Sequence, residues 1–207
     1  SIYNDKTDDF TSLVNDPNDS TTLSNNRVLA IYEDSLGFVW IGTEKGLNRL
    51  HQEKRTFQRY FSESNESNSL SSDIPWCFYE DTRGTLWIGT SGGGLNLWRR
   101  EERKNSRTHI QQFFSDKSTL PSSNIYGIQG DAKGWIWVSH SKGLSRINPK
   151  TFATHHYGVR DGLQSNEFTL GASFKSQSGV IHFGGVQGFN TIDSNLLPLP
   201  VGTRSPP

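Results

Sequence analysis

Residues 27–50 read RVLAIYEDSLGFVWIGTEKGLNRL, and residues 75–98 read PWCFYEDTRGTLWIGTSGGGLNLW. The two segments share an apolar piece of strand length, an acidic turn that ends at glycine, the tetrapeptide Trp-Ile-Gly-Thr and a later Gly-Leu pair. Residues 125–148 and 170–193 repeat the same order with substitutions. The chain is therefore built from one repeated unit, and a single local structure should explain all its copies.

The spacing of the units predicts β-propeller blades. The glycine after the polar turn recurs at intervals of 47, 50 and 45 residues, at Gly37, Gly84, Gly134 and Gly179. Periods of roughly 40 to 50 residues with strand-length apolar pieces are typical of propellers. The first unit divides into strands at Val28 to Glu33, Phe38 to Thr43, Leu47 to Leu50 and Thr56 to Phe61. The predicted fold class is all-β, a β-propeller of about four blades with four antiparallel strands each.

The repeat also predicts the boundaries of the blades. The propeller is expected to occupy residues 1–197, with units near residues 24–61, 71–114, 122–157 and 165–195. A further strand is expected near residues 9–14, because Phe10 to Leu13 resembles a fourth strand. That strand either completes the last sheet and closes a small ring, or belongs to another blade of a larger propeller. Residues 198–207 are rich in proline and are expected to form an exit linker.

Three residue types recur at fixed places in the unit. The second strand carries a tryptophan, replaced by His182 in the last unit, at Trp40, Trp87 and Trp137. Because one sheet cannot bury its own faces, these rings are predicted to fill the space between adjacent blades. Aspartates three residues before the glycine are expected to accept hydrogen bonds from turn amides, at Asp34, Asp81 and Asp131. Small residues suited to crowding around a central axis recur in the first strand, at Ala30, Cys77, Gly127 and Ala172.

Composition argues against several classes of function. Lys plus Arg and Asp plus Glu are both 21 and no basic stripe is evident, so nucleic-acid binding is not expected. Cys77 is the only cysteine, which leaves no internal disulfide and no cysteine-based zinc site. No apolar run approaches the roughly 18 residues that a membrane-spanning helix requires. The chain has no methionine and no signal peptide, so we expect a piece of a longer protein, whose location the missing targeting sequence does not reveal.

The sequence offers little for catalysis, and no catalytic residue, metal site or cofactor is predicted. His155 and His156 are adjacent on the expected fourth strand, where alternation points the two rings to opposite faces. The other histidines are scattered without a metal-binding spacing, and no Gly-x-Ser-x-Gly motif is present. The segment from Ser91 to Gly94 is rich in glycine but lies between strands rather than before a helix, so it is interpreted as a turn.

One face of the predicted propeller is the candidate ligand site. The linker between blades and the turn between the second and third strands lie on the same face, where ligands commonly dock near the axis. Aromatic rings stack on apolar sugar faces, while amides and guanidinium groups bind hydroxyls or carboxylates. Residues of these types at that face are Arg27, Lys45, Trp76, Tyr126, His140, Asn166, Glu167 and Gln187. The alternative is that Trp76 plugs the channel mouth and that lysines at turn tips are merely solvated.

The repeat resembles that of the two-component regulator propeller family. The resemblance is carried by EDSLGFVWIGTEKGLNRL, from Glu33 to Leu50, and by EDTRGTLWIGTSGGGLNLW, from Glu80 to Trp98. It covers residues 8–198, and the segment from Asp161 to Asp193 is similar to the blade that ends the second propeller in these proteins. The sequence departs from the family repeat at Ser139, where glycine is usual, and at Gly130 in the third acidic turn.

The resemblance implies a function and a setting. In that family two seven-bladed propellers face the periplasm, followed by an Ig-like module, a transmembrane helix and a histidine kinase or diguanylate cyclase. It implies that this chain is a periplasmic, non-enzymatic sensor segment whose exit linker leads to the Ig-like module. It also implies a homodimeric receptor, attached to the membrane by downstream segments, and an oligosaccharide or similar small polar ligand.

Two other functions remain compatible with a propeller fold. A propeller lyase would need a histidine with an acid and a tyrosine, for which the chain offers His140, Glu167 and Tyr126. A protein-interaction scaffold would be favoured by a large exposed apolar patch on the ligand face.

Overall fold

The computed structural model describes residues 1–105, 108–113 and 120–196, which form five antiparallel β-sheets. One sheet has two strands, three have four strands and one has three. Each unit of the repeat folds into its own sheet, so the predicted all-β architecture with one sheet per unit is confirmed. The predicted exit linker at residues 198–207 lies outside the described residues.

The strands follow the repeat closely. An N-terminal hairpin consists of β1 (Ile2–Asn4) and β2 (Asp9–Thr11). The first blade contains β3 (Val28–Glu33), β4 (Val39–Thr43), β5 (Gly46–His51) and β6 (Thr56–Tyr60). The second contains β7 (Pro75–Glu80), β8 (Leu86–Thr90), β9 (Leu95–Trp98), helix α1 (Arg100–Lys104) and β10 (Ile110–Phe113). The third contains β11 (Ile125–Gly130), β12 (Ile136–His140), β13 (Gly143–Ile147) and β14 (Thr154–Tyr157). After a 3-10 turn at Val159–Asp161, the fourth contains β15 (Phe168–Lys175), β16 (Ile181–Gly185) and β17 (Gly188–Ile192).

The N-terminal hairpin corrects one prediction. The sequence predicts a single strand near residues 9–14, whereas β2 occupies only part of that range and pairs with β1, which was not predicted. Among the described residues β17 pairs only with β16, so β2 does not complete the last sheet. Asp8, directly before β2, has a φ of 54°, and Arg55 and Phe152 have φ of 54° and 59° in the turns before β6 and β14. This shared turn gives β1 and β2 the form of the third and fourth strands of a preceding blade.

The hydrophobic core lies between the blades. Trp40 of the first blade packs with Leu86 and Trp98 of the second, and the two indole rings are 5.1 Å apart. Trp87 and Trp137 fill the corresponding spaces before the third and fourth blades. All three rings are buried, which confirms their predicted role. Each removes roughly 200 Å² of mainly apolar surface from water, worth about 5 kcal/mol before the cost of ordering the chain.

A buried aspartate joins each of these tryptophans to the turn of its own blade. Oδ1 of Asp34 accepts the amides of Leu36 and Phe38 at 2.9 and 3.0 Å, as expected for a turn, but Oδ2 also accepts the Nε1–H of Trp40 at 2.9 Å. The same carboxylate–indole bond joins Asp81 to Trp87 and Asp131 to Trp137, each at 3.0 Å. The indole N–H is thereby satisfied inside an apolar core, where an unpaired donor would be costly. Sequence reasoning predicted the bonds to the turn but not those to tryptophan.

Residues of neighbouring strands lie against both departures from the family repeat. Ser139 pairs with Gly127 across the sheet, so the serine side chain takes up space that β11 leaves free. Gly130 lies against Tyr79 of the second blade, whose ring fills the space that a side chain at residue 130 would need. The serine thus fills space opposite a glycine, whereas Tyr32 and Glu80, the pair equivalent to Tyr79 and Gly130, keep both side chains.

The first two blades are also joined by a buried arginine. In the second blade, α1 stands between β9 and β10 and directs Arg103 into the space between the sheets, where it is 1% exposed. Its Nε donates to Asp34 Oδ2 at 2.9 Å, and its Nη2 donates to Glu80 Oε1 at 2.6 Å. Its Nη1 donates to the carbonyl oxygens of Gly84 and Trp98. One guanidinium thus compensates two carboxylates and two carbonyl groups that come from both blades.

One side of the last sheet is exposed, and it is the side on which the first sheet packs against the next blade. Phe174 and Phe189 are 64% and 68% exposed, and the ring of His182 packs against both. By position in the repeat, Phe174 and Phe189 correspond to Tyr32 and Leu47, which pack against the second blade. This apolar surface therefore has the character of a contact between blades.

We expect the Arg103→Met substitution to lower the free energy of unfolding by about 3–5 kcal/mol. The reason is that Asp34 and Glu80 would be left buried without a compensating charge. Urea unfolding followed by tryptophan fluorescence measures the change. Arg99→Met is the matched control, since Arg99 is exposed one residue before α1 and its loss should cost less than about 0.5 kcal/mol. Equal effects of the two substitutions would contradict the proposed role of Arg103.

Asp81→Asn should destabilise the protein by about 1–3 kcal/mol, because the amide cannot serve both the turn amides and the indole N–H as the carboxylate does. In the Trp87→Phe background, which has no indole N–H, the same substitution should cost less. A thermodynamic cycle of the two single variants and the double variant should give a coupling of at least about 1 kcal/mol. If the cost is the same in both backgrounds, the carboxylate–indole bond does not contribute to stability.

Candidate functional site

The candidate ligand face forms where the linkers between blades meet the turns between second and third strands. In the first blade, the amide of Glu44 donates to the carbonyl oxygen of Arg27 at 3.2 Å. The amide of Gly46 donates to the carbonyl oxygen of Asp73, in the linker that leads to the second blade, at 2.6 Å. The amide of Ser91, in the corresponding turn of the second blade, donates to the carbonyl oxygen of Ile74 at 2.9 Å, so this linker is bonded to the turns of the blades on both of its sides. This arrangement holds the loops of neighbouring blades in place relative to one another.

The innermost strands carry β-bulges at this face. The register between first and second strands shifts between Val28 and Ala30, between Pro75 and Cys77, and between Ile125 and Gly127. A bulge takes one residue out of the regular alternation and redirects its side chain. The residues in these three bulges are Leu29, Trp76 and Tyr126. The sequence analysis singled out the two aromatic residues but did not predict the bulges. A small residue follows each bulged residue, and this pattern is the sequence feature that could have indicated a bulge.

Trp76 and Tyr126 form an aromatic pair across two blades. Their ring centroids are 5.8 Å apart and the rings are tilted by 50°. The Nε1–H of Trp76 donates to the carbonyl oxygen of Ile125, so the indole is anchored to the third blade. Both residues are partly buried, which leaves some ring surface accessible. The pair is a fixed apolar surface among polar loops.

The charged candidates of the first blade are exposed. Arg27 forms an ion pair with Glu44 at 3.0 Å, and its side chain is 74% exposed. Lys45 lies at the tip of the same turn and is also exposed. Ion pairs of this kind contribute little to stability and exchange partners readily. These side chains are therefore available to a ligand.

The fourth blade brings three further candidates together. The carbonyl oxygen of Glu167 accepts the amide of Val186 at 3.3 Å, next to Gln187 at the tip of the adjacent turn. Asn166 Oδ1 accepts the amide of Val159 at 2.9 Å, so part of this side chain is used to hold the preceding loop. All three candidates are exposed. They form a polar group whose carboxylate and amides face solvent.

His140 does not belong to this surface, which corrects the sequence analysis. The residue is 0% exposed, and its Nδ1 accepts the amide of Lys142 at 3.1 Å. The proton of the neutral ring is therefore on Nε2, which donates to Ser145 Oγ at 2.7 Å. Ser145 in turn donates to Nδ1 of His156 on the outer strand β14, at 2.8 Å. His140 orders the turn that carries Lys142 but cannot touch a ligand directly.

This chain of side chains replaces a hydrogen bond that other blades make to their linkers. In the first blade, Asn48 Oδ1 accepts the amide of Ser24 at 2.9 Å, and in the second, Asn96 Oδ1 accepts the amide of Ser71 at 2.9 Å. The third blade has Ser145 at this place. The shorter serine connects two histidine rings instead. The third blade therefore has a titratable network at a position that is neutral elsewhere.

The surroundings of both histidines favour their neutral forms. Burial is the main cause that lowers the pKa of His140 to about 3, and the charges of His156 and Lys142 lower it further. Burial and then the charge of His155 lower the pKa of His156. The rings of His155 and His156 lie on opposite faces of β14, as alternation predicts, because they pair with Arg146 and Ser145 respectively.

The candidate face is a surface of loops, and the described residues offer no metal site there. Within the described part of the chain, no group of three or more His, Cys, Asp or Glu residues could hold a metal ion. Four of the surface clefts formed by these residues are lined by none of the eight candidates. The largest of the four has a volume of about 560 Å³ and lies at the opposite end of the sheets.

Stability should fall as the pH falls below 6.5. In the unfolded chain the pKa of His140 is near 6.5, whereas in the folded protein burial lowers it to about 3. The unfolded chain therefore binds a proton at a pH where the folded protein does not. The loss from this residue alone should reach about 2 kcal/mol at pH 5. The double variant His140→Thr, Ser145→Asn, which has the residue pair of the first blade, should show a flatter pH profile in urea unfolding. His51→Gln, a change at an exposed histidine, should keep the original profile. Parallel profiles for all three proteins would contradict this account.

Sequence comparison connects the chain to bacterial signalling proteins. The profile of the family described as two component regulator propeller matches residues 22–45 and 69–92. A protein called histidine kinase P4, from Formosa agariphila, is 38% identical over 202 residues. That match covers 95% of this chain but only 14% of the length of the relative.

Solved structures share the fold. An extracellular domain attributed to a hybrid two component system of B. thetaiotaomicron aligns with a TM-score of 0.73 and 25% identity, over 88% of this chain and 25% of that domain. Virginiamycin B lyase from Staphylococcus aureus aligns with a TM-score of 0.55 and 15% identity, over 81% of this chain and 53% of the enzyme. At that identity the likeness to the lyase shows the fold alone.

The described residues 1–105, 108–113 and 120–196 contain no helix with the length and apolar character that a bilayer-spanning segment needs.

The repeated acidic turn with its tryptophan agrees with the match to the family profile. It also agrees with the fold shared with the extracellular domain of a hybrid two component system. These observations confirm the propeller architecture, and two units of the repeat, at residues 22–45 and 69–92, match the two component regulator propeller family.

Proposed function

We propose that this chain is the ligand-sensing part of a bacterial two-component receptor and recognises a carbohydrate or a similar small polar cue. The observation that carries the proposal is the aromatic pair of Trp76 and Tyr126, held by bulges 5.8 Å apart at the face where the loops of several blades meet. The family supports a sensing role, because the relatives include a histidine kinase and an extracellular domain of a hybrid two-component system.

The chemistry of the face suits a sugar with an acidic or hydroxyl-rich substituent. Since the indole N–H of Trp76 is engaged by Ile125, this residue offers its ring face rather than a donor. Aromatic faces stack on the apolar faces of sugar rings. Arg27 and Lys45 on one side can bind carboxylates, while Glu167 on the other side can accept hydroxyl hydrogens.

In this proposal, signalling depends on the hydrogen bonds between the linkers and the turns. Because the linker between the first two blades is bonded to the turns on both sides, a ligand that bridges the loops of these blades favours one arrangement of the loops over others. In our proposal this preference changes the placement of two protomers in a homodimer and is passed to a histidine kinase or diguanylate cyclase across the membrane. The sensor would lie in the periplasm, with its Ig-like module and membrane anchor in segments outside this chain.

The alternative functions have less support. A lyase would have to recruit a histidine base, and the buried His140 leaves Glu167 and Tyr126 without one at this face. A protein-interaction scaffold would be favoured by an apolar patch on the ligand face. The exposed rings of the last blade, Phe174 and Phe189, instead occupy the positions of Tyr32 and Leu47, which pack against the next blade.

Calorimetric titration with a panel of neutral and acidic oligosaccharides should reveal at least one ligand. Trp76→Ala should weaken its binding up to about tenfold, since an aromatic stacking contact is worth about 0.5–1.5 kcal/mol. Trp76→Phe keeps a ring and should bind with intermediate affinity. Phe10→Ala, a change at an exposed ring of the N-terminal hairpin, is the control and should not affect affinity.

Circular dichroism of each variant separates lost binding from lost folding. The absence of heat with every saccharide would remove carbohydrate sensing from consideration. Equal affinity of the Trp76→Ala and Phe10→Ala variants would show that the aromatic pair is not the ligand site.

A further inference from the structure

A second candidate site lies at the end of the sheets opposite the ligand face. Two adjacent clefts of about 560 and 410 Å³ share Arg83, Pro149 and Lys150, and together they form what we call the basic trough. Nη2 of Arg83, in the second blade, donates to the carbonyl oxygen of Pro149, in the third, at 2.6 Å. This bond sets the distance between the two blades at the middle of the trough.

The trough exists because the second blade departs from the common form of the repeat. The first and third blades join their last two strands by a turn with Arg55 or Phe152 at positive φ. In the second blade α1 takes this place, and its first residues line the larger cleft. The opposite wall is the turn before β14, which includes Lys150 and Phe152. Among the described residues, an α-helix stands at this place only in the second blade.

Cationic side chains are in excess along the trough. The chain as a whole has equal numbers of basic and acidic residues, so the excess is local. The basic residues that line the two clefts are Arg83, Arg99, Arg100, Lys133 and Lys150. The acidic residues are Asp81, Glu101 and Glu102, of which Asp81 is buried, bonded to Trp87 and 3.8 Å from Nη2 of Arg83. An anionic ligand is thus favoured over a cationic one.

The cations are spread along the trough. Arg99 lines only the larger cleft, Lys133 lines only the smaller one, and Arg83 and Lys150 lie between them. A compact oxyanion is bound by donors that converge on one point, whereas donors in a row fit an extended ligand that carries several anionic groups. The distribution of these cations over two adjacent clefts therefore favours an extended chain.

The floor of the larger cleft is apolar. Leu97, Pro149 and Phe152 line it, and the ring of Phe152 is held against Phe113 with centroids 5.2 Å apart. Gln111 adds an amide that can bond a peptide group. A buried apolar anchor with a few polar groups around it is the usual character of a site that binds a side chain.

Acidic residues at the rim argue against a uniformly charged ligand. Glu101 and Glu102 lie beside Arg99 and Arg100 in the larger cleft. A nucleic acid or a sulfated polysaccharide has a negative charge at nearly every step and would be repelled there. A peptide can place carboxylates against the cations and an apolar or basic residue near the glutamates. Mixed charge therefore favours a peptide.

We propose that the basic trough binds an extended acidic peptide segment of a partner protein. One large apolar side chain of the peptide occupies the cleft between Leu97 and Phe152, and its carboxylates contact Arg83, Lys150 and Lys133. This interaction is independent of carbohydrate recognition, because the two sites lie at opposite ends of the blades.

Fluorescence anisotropy with a labelled nine-residue peptide tests the proposal. The probe has alternating glutamates around a central phenylalanine, and a second probe has glutamine in place of every glutamate. The acidic probe should bind and should weaken as salt rises. Lys150→Gln and Lys133→Gln should each weaken binding about threefold, and the double variant about tenfold. Lys54→Gln, in the corresponding turn of the first blade, is the control and should leave binding unchanged.

Three results would overturn the proposal. The first is equal binding of the acidic and the glutamine probes. The second is equal affinity of the double variant and Lys54→Gln. The third is preferential binding of a sulfated oligosaccharide or single-stranded DNA of the same charge, lost in the double variant, because it would assign the trough to another class of ligand. Thermal unfolding of each variant confirms that the protein is folded, and none of these results depends on oligosaccharide binding.

Discussion

The indole rings of Trp40, Trp87 and Trp137 lie between blades, and each donates its N–H to a buried aspartate in the turn of its own blade. This contact is the constraint on which the rest of the structure depends. One blade has an apolar side that only the next blade covers, so the ring is stable only when both sheets are present. The aspartate accepts the indole N–H, so that this large ring can be buried between the blades without an unpaired donor. The same carboxylate accepts the amides of the turn that leads to the second strand.

The surroundings of this contact differ from blade to blade. The fourth blade replaces the aspartate and the tryptophan together, with Ser176 and His182, and its outer side is exposed. The first blade adds Arg103 from its neighbour to Asp34, which makes that junction the most strongly charged of the described interfaces. The third blade keeps the contact but acquires histidines at the loop end. Variation is thus tolerated where it leaves the volume between sheets filled and the buried charges compensated.

Both candidate sites depend on loops that the sheets hold in place. At one end the bulges bring Trp76 and Tyr126 together, and at the other end α1 opens a cleft beside Arg83. The sequence correctly indicated that Trp76 and Tyr126 lie at the same end of the sheets. It wrongly indicated that the ring of His140 is exposed there. All five residues of β12 are buried, because both faces of this strand are covered by neighbouring blades. Alternation therefore could not tell whether the ring of the last residue in that strand reaches solvent.

The sequence alone determined the repeat, the approximate positions of the strands within the first blade, the turns at Gly37 and its equivalents, and the burial of the tryptophans. These features recur about every 47 residues and depend on local conformation, so they could be predicted by comparing the four copies of the pattern. Tertiary structure decided the pairing of Arg103 with Asp34, the burial of His140, the hairpin of β1 with β2 and the existence of the basic trough. Each of these depends on how one sheet is set beside another or on which strands pair. A local and periodic signal does not encode such contacts, because they join residues far apart in the chain or occur in only one blade.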